Sequence, residues 1–250
     1  MFGYNINTRL VNTIIILLFV WGLSRMDTAQ WMQLLLTLPA VVIAISCHEF
    51  AHAHRAVKYG DNTPREEGRL TLNPVKHLDW MGFFLMVFTH IGWGRPVNIN
   101  PNNFSSGKSR AYCEMRVALA GPLTNLCLAI VFILISYLYN IFVPTAFVSS
   151  AFGKALSDFI SLFIIVNIGL GVFNLIPLPP LDGEKIFKNI LPFKAKQWLD
   201  ENTLTLQVIF MVLWIFGVLD VVVAPAISYL YTWLSYGIGY VVYFIIGLFV

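Results

Sequence analysis

Residues 28–55 read TAQWMQLLLTLPAVVIAISCHEFAHAHR. From Thr28 to Cys47 the stretch holds no Asp, Glu, Lys or Arg, and about 20 such residues are what a helix needs to cross the hydrocarbon core of a bilayer. The run then ends in His48-Glu49-Phe50-Ala51-His52. Residues four apart on a helix lie about 40° apart around its axis. His48 and His52 therefore share one face, where both imidazoles can reach a single metal ion, zinc by preference. Glu49 stands about 100° round from His48, close enough to touch water at the metal without binding the metal itself. The bland alternative is a chance pattern on a surface helix, but two histidines and a glutamate at the end of an apolar span are costly unless they serve a function.

Comparable runs recur along the chain, and the composition agrees with them. Of the 250 residues 58% are hydrophobic and only 12% charged, against about 25% charged in a soluble domain, and the mean hydropathy is +0.73. That is an integral membrane protein, and it excludes soluble, disordered, collagen-like and disulfide-scaffold classes. The net charge of +3 is scattered, with no basic cluster interleaved with aromatics, so no nucleic-acid partner is expected. Cys47, Cys113 and Cys127 sit in or beside apolar runs and read as free thiols.

Runs without Asp, Glu, Lys or Arg extend over 28–48, 117–153, 159–181, 202–219 and 221–250, with shorter ones at 10–24 and 80–94. The expected fold is an all-α polytopic membrane protein of about six transmembrane helices, plus a short re-entrant or β-hairpin-like segment near 80–101. Pro144 breaks the long run near its far end, and Pro225 is expected to mark the turn between the last two spans. The first residues, MFGYNINTRL, lack a basic cluster and cleavage site, so 10–24 reads as a retained helix. One membrane-embedded domain, 1–250, is expected, with a core of about 30–196 and extra helices at 10–24, 202–219 and 226–250. If the runs alternate, thirteen of the sixteen Lys and Arg fall on one side, which should be cytoplasmic. The expected location is a multi-pass cell membrane, a prokaryotic plasma membrane, with the site facing the cytoplasm.

Two further constellations carry chemistry. In Asn174-Leu175-Ile176-Pro177-Leu178-Pro179-Pro180-Leu181-Asp182-Gly183 the prolines stop a helix near membrane depth, where irregular backbone is tolerated only against protein or water. Asp182 has two readings, the cap of a following helix or a metal ligand. Two histidines leave zinc short of a protein ligand, and the run ending at Leu181 finishes on the side where His52 lies, which favours the ligand. In Gly121-Pro122-Leu123-Thr124-Asn125 the Gly-Pro pair is expected to bend or loosen a helix. Asn125 is either an interhelical hydrogen-bonding group or an amide for substrate or oxyanion, and Asn174 and Asn167 invite the same pair of readings. Gly94 to Pro101 reads as a short extended segment with Val97 and Ile99 on one face of it and Asn98 between them. It is either a plain loop or an edge to which a substrate strand could add. His54 lies about 200° round from His52 and cannot share the metal face. His77, His90 and Asp79 lack ligand spacing and read as structural.

HEFAH at 48–52, GPLTN at 121–125 and NLIPLPPLDG at 174–183, in that order, resemble the site-2 protease family of intramembrane zinc metalloproteases, peptidase family M50. Gly68-Arg69-Leu70-Thr71-Leu72-Asn73-Pro74 followed by His77-Leu78-Asp79 is similar to its minimal bacterial and archaeal branch, which has neither PDZ nor CBS domains. The resemblance implies one zinc per chain on His48, His52 and Asp182, with Glu49 as catalytic acid and base. It also implies substrates that are themselves transmembrane segments in the bilayer; a homo-oligomer is compatible with it. The rival reading is a non-proteolytic protein, a metal transporter or a degenerate helix binder. A transporter has little need of Glu49, and a degenerate binder would be expected to have lost one of the four residues.

Overall fold

Three of the long helices start at side-chain caps. Asp27 accepts from the Gln30 N–H while the Gln30 side chain accepts from the Asp27 N–H, a reciprocal box that opens α1, Thr28–Lys58. Ser109 and Ser150 cap α3, Arg110–Phe142, and α5, Ala151–Asn174, in the simpler way. The computed structural model describes residues 24–79 and 94–248, together with Val20 and Gly82. The expected helix at 10–24 and the segment 80–94, with His90, lie outside the described residues apart from their edges.

The protein is an all-α polytopic membrane protein. Among the described residues four helices are long and apolar enough to cross a bilayer: α1, α3, α5 and α9, Asp220–Gly247. The first three pack against one another, and α9 lies against α3 and α5. Small residues make the close approach possible, with Ala40, Ala44, Ala53 and Ala56 of α1 and Ala118, Ala120 and Gly121 of α3 all buried. Below them Ala129, Ile133, Ile160, Ile164 and Ile168 form an apolar core, onto which Ile227, Leu230, Leu234 and Ile238 of α9 pack. Leu35, Ile43, Val131, Leu134 and Ile165 are exposed, as a lipid-facing surface requires.

Several boundaries differ from the sequence reading. The run 202–219 forms only a 13-residue helix, α8, Thr203–Ile215. The chain then turns at Gly217, whose φ of +68° suits glycine. Pro225 lies inside α9 rather than at that turn; near a helix start its missing N–H costs one backbone bond and does not stop the helix. Likewise α5 starts at Ala151 and takes in Lys154 and Asp158, which the apolar window had left out. Pro144 does end the long run, as the N-cap of the short α4, Thr145–Val148.

Between the spans lie α2, Thr63–Glu66, then a strap that runs extended from 94 to 100. Among the described residues no strand forms; the hairpin-like character is confined to an antiparallel bridge between Leu78 and Gly94. Helices α6, Asp182–Lys188, and α7, Phe193–Glu201, follow α5, with α6 packed on α3.

Candidate active site

His48 and His52 are 6% exposed on the inner face of α1. The imidazole Nε2 atoms approach to 2.9 Å, and Asp182 Oδ2 stands 3.0 Å from one and 3.1 Å from the other. Asp182 arrives because α5 stops at Asn174 and the chain turns through 175–181. A Cβ on Gly183 would run into the carbonyl oxygens of Leu175 and Ile176, so the tight turn requires glycine by close approach. Asp182 is the first residue of α6 and makes no capping bond.

The far nitrogens decide the protonation of the rings. His48 Nδ1 faces Asn125 Oδ1 at 2.6 Å, and His52 Nδ1 faces the Val117 carbonyl at 2.8 Å. Both partners only accept, so each Nδ1 carries the proton and each Nε2 presents a bare lone pair. Two lone pairs and a carboxylate oxygen thus converge with no donor between them in the neutral-ring state, an arrangement that asks for a cation. Tetrahedral ligands about 2.0–2.1 Å from zinc sit about 3.3 Å apart, a few tenths of an ångström more than the observed separations. The donor set therefore fits zinc with one position open.

Asn125 is fully buried behind His48. Its Nδ2 donates to the Ala44 carbonyl at 3.1 Å and to Asn167 Oδ1 at 2.9 Å. Asn167 in turn donates to the Phe163 carbonyl. Every polar side-chain atom of Asn125 and of Asn167 is engaged, which favours the interhelical reading for both. Asn174 differs, because it donates to the Leu170 carbonyl yet lines the open cleft. His54 is exposed and stacks on Phe50. His77 is fully buried against the Thr71 carbonyl, and Asp79 accepts from the Gly82 N–H, both structural.

Gly-Pro at 121–122 does not break α3, which is continuous across it. Glycine is needed there for space: a Cβ would stand 2.5 Å from His52 Nε2 and 2.6 Å from His48 Nε2. The sequence reading missed this, although a glycine one turn before Asn125 was the available signal.

Glu49 opens onto a cleft of about 370 Å³ shared with His48, His52, Val97, Ile99, Asn174 and Asp182. Its Oε2 accepts from the Val97 N–H at 2.9 Å. Val97 and Ile99 face inwards while Asn98 faces out, its Nδ2 donating to the Glu67 carboxylate. Among the described residues the Val97 carbonyl and both backbone groups of Ile99 have no partner. Cys47, Cys113 and Cys127 are free, as expected.

The family model "Peptidase family M50" matches residues 36–217. "Putative zinc metalloprotease YwhC" of Bacillus subtilis is 35% identical over 175 residues, which cover 70% of this chain and 78% of that protein. "Putative zinc metalloprotease Rip2" of Mycolicibacterium smegmatis is 29% identical over 60% of the chain and 54% of its own length. "Zinc metalloprotease MJ0392" of Methanocaldococcus jannaschii is 26% identical over 74% of the chain but only 42% of its own length. No solved structure gives a significant match.

Proposed function

The chain belongs to peptidase family M50, and from that membership we propose that it is a zinc-dependent intramembrane endopeptidase that cuts peptide bonds within or near transmembrane segments. The observation that carries this reading is the convergence of His48, His52 and Asp182 beside Glu49 on one cleft. One zinc per chain is held by these three residues, and when bound it supplies a Lewis acid that acidifies water and polarises a carbonyl. Glu49 takes the proton of the attacking water and returns it to the leaving amine nitrogen. Asn125 and the Val117 carbonyl keep the imidazoles in the tautomer that leaves Nε2 free for the ion.

A substrate helix hides its carbonyls in its own hydrogen bonds and must unwind before attack. The free carbonyl of Val97 and the N–H and carbonyl of Ile99 offer an edge for the unwound strand, with Asn174 across the cleft. Asn98 contributes from outside, through its tie to Glu67. The site faces the cytoplasm of a multi-pass cell membrane, the side to which the charge asymmetry assigns the ends of α1 and α5.

The test is a membrane-proteome comparison of cells carrying the intact protein and its Glu49→Gln form, with zinc measured on both purified proteins. Truncated single-span proteins should appear only with intact Glu49, and both forms should carry zinc. Equal truncation in the two would refute the assignment of Glu49. The transporter reading predicts metal flux that survives Glu49→Gln.

A further inference from the structure

The segment 68–79, GRLTLNPVKHLD, has no part in the chemistry above, yet it contains a cation spent in an unusual way. Arg69 is 5% exposed. Among the described residues its guanidinium forms hydrogen bonds to no carboxylate and donates only to main-chain carbonyls: those of Lys76, of Arg95 at 2.6 Å and of Pro96 at 2.8 Å. The next N–H along the strap is that of Val97, which meets Glu49. The other end of the strap is held by Asp61, fully buried, which accepts from the Asn100 N–H at 2.7 Å and from Asn103 Nδ2 at 3.0 Å. Asp61 follows α1 directly, with its own N–H on the Ala56 carbonyl.

We propose that Arg69 is a positioning residue of the peptidase site: by gripping the carbonyls of residues 95 and 96 it fixes the strap to the helix that carries His48, Glu49 and His52. The grip sets the register in which a peptide lies across the cleft. This rests on the metalloprotease reading. The strap is tied at both ends, and between them the Val97 carbonyl and both backbone groups of Ile99 have no partner among the described residues, beside the metal ligands. Only the short linker 59–68 separates the anchor from α1, so the edge and the ion cannot slide independently. Lysine keeps the charge but lacks the planar fork, of which Nη1 holds the Lys76 carbonyl while Nη2 holds those of residues 95 and 96.

The experiment uses the full chain, zinc-loaded in lipid nanodiscs, as wild type, Arg69→Lys and Arg69→Gln. Two probes are titrated by calorimetry: acetohydroxamate, which reaches only the metal, and a leucyl-valyl hydroxamate, whose backbone can pair with Val97 and Ile99. Both variants should keep zinc and the wild-type acetohydroxamate affinity, while the peptidyl probe weakens by about 10-fold, the loss of one or two backbone hydrogen bonds. In cleavage of a single-span substrate, KM should rise more than kcat falls, and Arg69→Lys should recover only part of the loss. An unchanged preference for the peptidyl probe in both variants overturns the proposal. So does loss of zinc or of acetohydroxamate binding in both, since Arg69 would then be a structural residue. Wild-type protein that binds neither hydroxamate overturns the metalloprotease reading itself, a result separable from the other two.

Discussion

Replacing Gly121 by alanine adds one methyl group at the tightest point of the molecule. The new Cβ would lie 2.5 Å from His52 Nε2 and 2.6 Å from His48 Nε2, against 3.4 Å or more for ordinary contact. One ring, or α3 itself, must give by 0.8–0.9 Å. Metal sites tolerate about 0.2 Å in ligand distance, so the displacement removes at least one ligand. Structural zinc sites with four ligands are worth about 10–16 kcal/mol, or about 2.5–4 kcal/mol per ligand, and zinc affinity should fall on the order of 10²- to 10³-fold. The assay is competition with a chromogenic chelator on purified protein, with the thermal transition of the metal-free form as control. Gly169→Ala is the matched comparison, because its Cβ would meet only Ile227 Cδ1 at 3.6 Å; it should bind zinc normally. Wild-type zinc affinity in Gly121→Ala would refute the placement of both imidazoles beside α3.

Asn125→Ala leaves His48 Nδ1 and Asn167 Oδ1 without their partner; zinc affinity should drop about 10- to 100-fold, measured by the same competition. Asp61 is held below its usual range because its hydrogen bonds from Thr63, Asn103 and Asn100 outweigh the effect of burial. Its contribution is therefore present above the unfolded carboxyl pKa of about 3.9 and fades as pH falls through the lower folded value. Asp61→Asn should cost about 1–2 kcal/mol at pH 7, and thermal scans should show the gap to wild type closing below about pH 4. Reporters fused at Asn62, Ser106 and Asn189 should all register the cytoplasm and one at Ser149 the opposite side; a split between Asn62 and Asn189 would separate His52 from Asp182.

The cluster of His48, His52 and Asp182 was legible because local rules bring it together. Helical periodicity alone puts His48 and His52 on one face, and three prolines before Asp182 force the break that delivers it. Asn125 stood out as an amide in an apolar run, but its role turned on which helix faced it, which no local pattern encodes. Gly121 was read as a bend because an absent side chain leaves no periodic trace; what it makes room for lies on another helix. Arg69 and Asp61 were invisible for a related reason, since each reaches main-chain groups 26–39 residues away. The end of α8 escaped because apolar content says where a helix can run, while Gly217 decided where this one stops.

The ligands also have an order in time. Asp182 follows His48 by 134 residues, and at about 5–20 residues per second of synthesis it emerges about 7–27 s later. Through that interval the nascent chain carries two histidines and Glu49 in the bilayer but cannot complete the centre. On the proposed reading, hydrolytic capacity begins only after α5 has been inserted, so a ribosome that stalls before that point leaves an inert fragment and not an unregulated protease.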